Sequence, residues 1–238
     1  MLAFGGSGTV AGPHWEDLRR RHPNAIVLGC STGGEIHGCD VLDETISATA
    51  IRFDRTSLIA AEADIVQDSF EAGRKIGGAL ARPGLKAVFV LSDGTRTNGS
   101  DLVRGLRDAV GSDVVLAGGL AGDGPNFGTT YVGLNAVPMP GKVAAIGFCG
   151  DKLHVGHGSS GGWDVFGPER RITRAKPMCF TNWTASRRSI FTSAISALRK
   201  LPGCPAAPCF FPCASIPPTS RNRRWFAPWW GWMRMRAP

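Results

Sequence analysis

A run of core-type residues that halts in glycine, Ala25-Ile26-Val27-Leu28-Gly29-Cys30-Ser31-Thr32-Gly33-Gly34-Glu35, sets the terms for the whole sequence. Uninterrupted aliphatic and β-branched residues read as a buried strand, and the small polar residues after them as a tight turn. Glycines let a ligand or a second backbone come close, while short hydroxyl and thiol groups offer hydrogen bonds. The same pattern returns in Val114-Val115-Leu116-Ala117-Gly118-Gly119-Leu120-Ala121-Gly122-Asp123.

The elements around the two tips follow one order. Leu2-Ala3-Phe4 ends a strand, residues 5–12 form a glycine-rich loop, and Pro13 opens a short helix over 14–22. After Gly29 come a loop over 34–42, alternating strands over 45–53 and 57–65, and a helix over 68–80. The second round has a buried strand over 85–91, the turn Ser92-Asp93-Gly94 and a helix over 98–110 with Leu102, Leu106 and Val110 on one face. The strand over 114–116 then reaches the second tip, and residues 129–134, 141–148 and 153–158 read as a meander. Leu2 aligns with Val90, Leu18 with Leu106, Gly29 with Gly118, Phe53 with Phe148 and Leu58 with Leu153. The prediction is an α/β fold in which internally duplicated β-α-β-β-β units form one sensor-type domain. Paired halves would bring both tips to strand ends, where open α/β sheets place their ligands.

Charge divides the chain in two. Residues 176–238 hold ten of the 27 Lys and Arg and no Asp or Glu, leaving 17 basic against 19 acidic residues, a net of −2, in the body. A weakly acidic body speaks against nucleic acid as the partner. The 7 cysteines have no zinc-like spacing, no secretory signal opens the chain, and no apolar run nears the ~20 residues of a membrane span. A cytoplasmic protein with free thiols, without membrane contact, is the expectation.

Gly29-Cys30-Ser31-Thr32-Gly33 fits the G-x-S-x-G nucleophile elbow, which would make a Ser or Cys hydrolase. That elbow turns a strand into a helix, whereas here the turn leads to a loop and more strands. No charged neighbour in sequence activates Cys30 either, so a ligand loop or close-packed turn is the preferred reading. Gly6-Ser7-Gly8-Thr9-Val10-Ala11 mimics a dinucleotide fingerprint, but no acidic residue follows the next strand to hold a ribose. Asp93, Asn98 and Asp123 fall at strand ends, where polar groups orient an amino or carboxylate group of a ligand. Ordinary turn chemistry for Asp93-Gly94 and a helix cap for Asn98 are the competing roles.

Three pieces together resemble the N-terminal domain of the FIST family (F-box and intracellular signal transduction proteins). They are Gly29 to Ile36, Gly118 to Gly124, and Gly156-His157-Gly158 with Phe166-Gly167-Pro168 and Ile172-Thr173-Arg174-Ala175. The resemblance spans residues 1–175 and implies a non-catalytic, cytoplasmic sensor of a small molecule such as an amino acid. It implies an output partner on a separate chain: a histidine kinase, a chemoreceptor or a cyclic-dinucleotide enzyme. Some relatives bind haem and respond to nitric oxide, which makes His157 a candidate haem ligand; otherwise no metal or cofactor is expected. The ligand site it suggests is Cys30, Ser31, Thr32, Gly33, Asp93, Gly118, Gly119, Asp123 and His157. The start of the chain looks truncated, since the helix usual before the first strand is missing.

Residues 176–238 depart from this text, with five of the 7 tryptophans, four of the 7 cysteines and nine of the 16 prolines. A basic, aromatic arm is one reading, and a disordered or aggregating tail without a core is its physical consequence. The genetic code suggests another origin. Codons for Met178 to Phe191, read two bases later, permit Val-Leu-Tyr-Glu-Leu-Asp-Gly-Lys-Pro-Ala-Leu-Asp-Leu, which is how a family member would continue into a second domain. The tail is therefore expected to be out of frame, and an insertion or deletion in the coding sequence near the Ala175 codon is what this requires.

Overall fold

The computed structural model describes residues 1–65 and 68–158, and the strand backbones of 172–176, 179–183 and 232–236. In chain order the elements begin β1 (Leu2–Gly5), α1 (Ser7–Val10), α2 (Pro13–Arg21), β2 (Leu28–Ser31), β3 (Glu35–His37), β4 (Asp40–Leu42), β5 (Ile46–Thr49) and β6 (Ser57–Asp64). There follow α3 (Ser69–Leu80), β7 (Leu85–Ser92), α4 (Gly99–Val110), β8 (Val115–Leu120), β9 (Val132–Leu134), β10 (Lys142–Cys149) and β11 (His154–Gly158). The last three are β12 (Ile172–Lys176), β13 (Cys179–Trp183) and β14 (Trp232–Arg236). The chain divides into two units, Met1–Gly161 with Phe226–Pro238, and Gly162–Trp225. In the second, the backbones of β12 and β13 pair antiparallel.

The first unit carries two four-stranded mixed sheets. One has the order β5-β1-β2-β9, with β1 parallel to β2 and the outer strands antiparallel. The other has the order β6-β10-β7-β8, with β7 parallel to β8 and β10 antiparallel to both its neighbours. Each parallel pair is closed by a helical crossover, α1–α2 or α4, as parallel neighbours require.

Period-2 alternation assigns the buried faces of the strands in these two sheets. Leu28, Cys30, Phe89, Leu91, Val132, Leu134, Ala144, Ile146 and Phe148 meet in the space between the sheets. The intervening Val88, Val90, Val143 and Ala145 turn outward onto Ala72, Ile76 and Leu80 of α3 and Leu102 and Leu106 of α4. Ala3 and Val27 turn the other way, onto Val10 and Trp15. The result is four layers, helix–sheet–sheet–helix, with each fully buried aliphatic side chain contributing about 2 kcal/mol.

Helix boundaries follow from capping. Asp68 Oδ1 accepts the Phe70 amide at 2.8 Å, and Asn98 Oδ1 accepts the amides of Ser100 and Asp101 at 3.1 and 3.4 Å. Asn98 is therefore a helix cap. The two helices touch through glycine: a Cβ on Gly105 would sit 2.0 Å from Phe70 O, and one on Gly73 would sit 2.3 Å from Leu102 O.

Three expectations need correction. Residues 129–158 do not form a meander, because β9 joins β2, β10 lies between β6 and β7, and the backbone of β11 pairs with β14. Alternation fixes which face of a strand is buried but not which edge it joins. Strands are also exchanged, β6 entering the second sheet and β9 the first, and a one-to-one duplication is not shown. Phe53 and Phe148, expected as counterparts, are partners instead, edge to face at 5.8 Å between centroids. Finally, the supposed loops hold structure. Gly6 O accepts the amides of Thr9 and Val10 in the single turn of α1, and residues 35–42 form a hairpin turning at Gly38, φ +63. Its three-residue strands bury too little for a face to be read.

Candidate functional site

Both parallel pairs end toward the same place. Gly122 N donates to Ser31 O at 2.9 Å, Thr32 N to Gly5 O at 3.0 Å and Ala121 N to Ser92 O at 2.7 Å. A Cβ on Gly122 would lie 3.1 Å from Gly33 N, and one on Gly33 would lie 3.3 Å from Gly124 Cα. The two glycine tips thus stack backbone on backbone, at a separation that leaves little room for a side chain. Ser7, at the start of α1, lies near enough to Asp123 to help lower its pKa. Three loops, not two, converge here.

The expected site residues take different positions in this arrangement. Gly33 is exposed at the junction, and Thr32, 7% exposed, lies beside it. Asp123 is half-buried and accepts the amides of Gly128 and Thr129 on Oδ2, at 2.8 and 3.0 Å. Burial raises its pKa, but the amides of Gly128 and Thr129, with the side chains of Ser7 and Asn126, outweigh that and hold the carboxyl below its ordinary range.

Gly118 and Gly119 stand inside β8, opposite Val90 and Leu91, one strand-end short of the junction. A Cβ on Gly118 would sit 1.8 Å from Val90 O, so this glycine serves the close approach of β8 to β7. Cys30 is wholly buried between the sheets, and burial pushes its thiol up to about 12. It stays protonated and unreactive at neutral pH. Ser31 is also wholly buried, and its hydroxyl oxygen accepts the Tyr131 amide at 2.9 Å. His157 lies on β11 with its backbone opposite Met233; its side chain lies outside the described residues, and so does the haem reading. The expected disorder of the tail likewise falls outside them except at β13 and β14, whose backbones are paired strands.

Asp93 is a hub behind the tips. Fully buried, it accepts Thr95 N, Thr95 Oγ1, Arg96 N and Thr130 Oγ1 on Oδ1, and Gly141 N on Oδ2 at 2.6 Å. Burial alone would raise its pKa, yet this cage of donors holds it below the usual carboxylate range. The carboxylate binds together the ends of β7, β9 and β10.

Glu35 escaped the sequence reading. Only 1% exposed, it accepts Thr32 Oγ1 at 2.6 Å on one oxygen, and Thr45 N and Thr45 Oγ1 at 3.0 Å on the other. The spacing Thr32-x-x-Glu35 is the signal the sequence carries, one associated with helix caps and here used in a turn.

Carboxylates border the first tip. Asp123, Glu44 and Asp43 border it, since a Cβ on Gly6 would meet Glu44 Oε2 at 2.7 Å and one on Gly34 would lie 3.8 Å from Asp43 Oδ1. No Lys or Arg occurs from residue 22 to 51. A cavity of about 470 Å³ lies at the opposite end of the sheets, lined by Arg55, Ser57, Pro83, Gly84, Cys149 and Asp151 among others. No helix among the described residues is long and apolar enough to cross a membrane, and no cluster of metal-ligating side chains occurs among them.

No curated protein matches the chain. The family model of the FIST N domain matches residues 2–178, a span that includes both glycine tips and the strands leading to them. The chain belongs to the FIST family, whose domains are sensory modules of signal transduction.

Proposed function

We propose that the joined tips hold a small molecule in the cytoplasm, and that an output protein on a separate chain reads the occupied state. The observation that carries this reading is the contact of Gly122 with Ser31, which turns two distant glycine stretches into one place. Exposed Gly33, half-buried Asp123 and the buried Thr32 beside them supply its polar wall. Cys30, Ser31, Asp93, Gly118 and Gly119 act behind it by fixing the backbone. The acidic border favours a ligand with a protonated amine, and a free amino acid fits that requirement. Sensing then needs only that the ligand prefer one conformation, so that binding shifts a population. We place the end of this sensory domain near Ala175, with residues 176–238 outside it; the acidic character of 1–175 gives it no nucleic-acid partner.

Isothermal titration with a panel of free amino acids tests the site. At least one is expected to bind, and Asp123→Ala to weaken it about tenfold or more, as loss of a charged hydrogen bond does. Undiminished affinity in Asp123→Ala, or no binding across the panel, would remove the support for this site.

A further inference from the structure

Glu35 stands where the tip ends and the β3–β4 hairpin begins. Its two carboxylate oxygens divide their partners: Oε1 takes the Thr32 hydroxyl of the tip, and Oε2 takes the amide and hydroxyl of Thr45 at the start of β5. The next residue, Ile36, is bound by the Ser47 hydroxyl through its carbonyl at 2.9 Å. Among the described residues the hairpin has little else to hold it. Ile36 and Val41 face each other across it while 47% and 62% exposed, and Leu42 is 43% exposed. A two-stranded ribbon of this kind is marginal by itself in water, so its position depends on its anchors.

The segment after the hairpin is tied to the remaining loop. Gly6 N donates to Thr45 O at 3.2 Å, and the Thr9 hydroxyl donates to Glu44 O at 3.0 Å. Glu44 itself holds a left-handed backbone, φ +54, which an L-residue with a side chain adopts at a cost. Phe127, in the loop after the second tip, does the same at φ +49 and is 72% exposed. Such outliers persist where surrounding bonds over-determine the backbone, and they accompany switching segments.

Resting on the ligand site proposed above, we infer that Glu35 is a positioning residue that couples the state of the tip to the β3–β4 hairpin, making the hairpin the element that reports occupancy. A ligand that draws the Thr32 hydroxyl to itself removes one of the two anchors of the buried carboxylate. Glu35 then has only Thr45 to hold it, and the exposed ribbon it begins is released from the tip.

Hydrogen exchange on the full chain without any ligand tests the coupling, so its outcome is independent of whether the ligand site is correct. Thr32→Val removes the tip-side donor at constant shape and is expected to speed exchange of the residue 36–42 amides about tenfold. Exchange in α3 and α4 should stay at the wild-type rate. Ser47→Ala should speed the hairpin alike while leaving residues 28–32 unchanged, because it cuts the hairpin from β5 without touching the tip. Glu35→Gln should loosen both. Wild-type hairpin exchange in Thr32→Val, or a uniform rise that includes α3 and α4, would overturn the inference. Should Glu35→Gln fail to fold, the Thr32→Val result decides alone.

Discussion

Two carboxylates in this domain show how differently one side chain is used. Asp123 stays at the surface of the junction, whereas Asp93 is enclosed and receives three amide and two hydroxyl donors. Asp93→Asn replaces one acceptor oxygen with a donor facing a donor, and is expected to cost about 3 kcal/mol in urea unfolding at pH 7. The pH dependence has a definite sign. Since the folded carboxyl lies below its ordinary 3.8, its contribution is complete above about pH 4 and disappears as the pH falls through the folded value. The gap between wild type and Asp93→Asn should therefore close in acid. A gap independent of pH would mean that the charge is not what the cage holds. Little of this enclosure was legible in the sequence, where Asp93 reads as a ligand-orienting group or as ordinary turn chemistry. The local donors, Thr95 and Arg96, belong to an ordinary turn; the two that close the cage, Thr130 and Gly141, lie far along the chain, and nothing local announces them.

Helices α3 and α4 were legible almost to the residue, because Asp68 and Asn98 are capping residues followed by apolar positions at helical spacing. Their contact was not, since glycine in a helix reads as a defect until a second helix is seen against it. Two substitutions separate these meanings. Gly105→Ala would drive a methyl into Phe70 O and is expected to destabilise the domain by about 1–3 kcal/mol. Gly78→Ala, on the same pair but with nothing within 4 Å, should instead stabilise by up to ~1 kcal/mol. Equal effects of both in urea unfolding would show that the helices do not cross at Gly105. The β3–β4 hairpin was hidden for the opposite reason: its apolar residues face water, so no pattern marks it.

Taken whole, the domain owes its site to topology. Two β-α-β pairs, each ending in glycine, lie in sheets that trade strands through β6 and β9, and the interleaving holds both pairs with their tips at one end. The strands of the two main sheets and their buried faces were readable from alternation, and so were the two glycine tips at their ends. Partner choice among strands was not, because any edge satisfies the same backbone donors and acceptors. The cavity at the far end supplies a built-in control, being remote from every tip residue. Hydrogen exchange on the full chain, with and without a saturating amino acid taken from the binding panel, compares the two ends directly. Residues 31–34 and 122–128 are predicted to gain protection together. Protection confined to 54–57, 83–84 and 149–151, or to one tip without the other, would contradict a ligand site built from the joined tips.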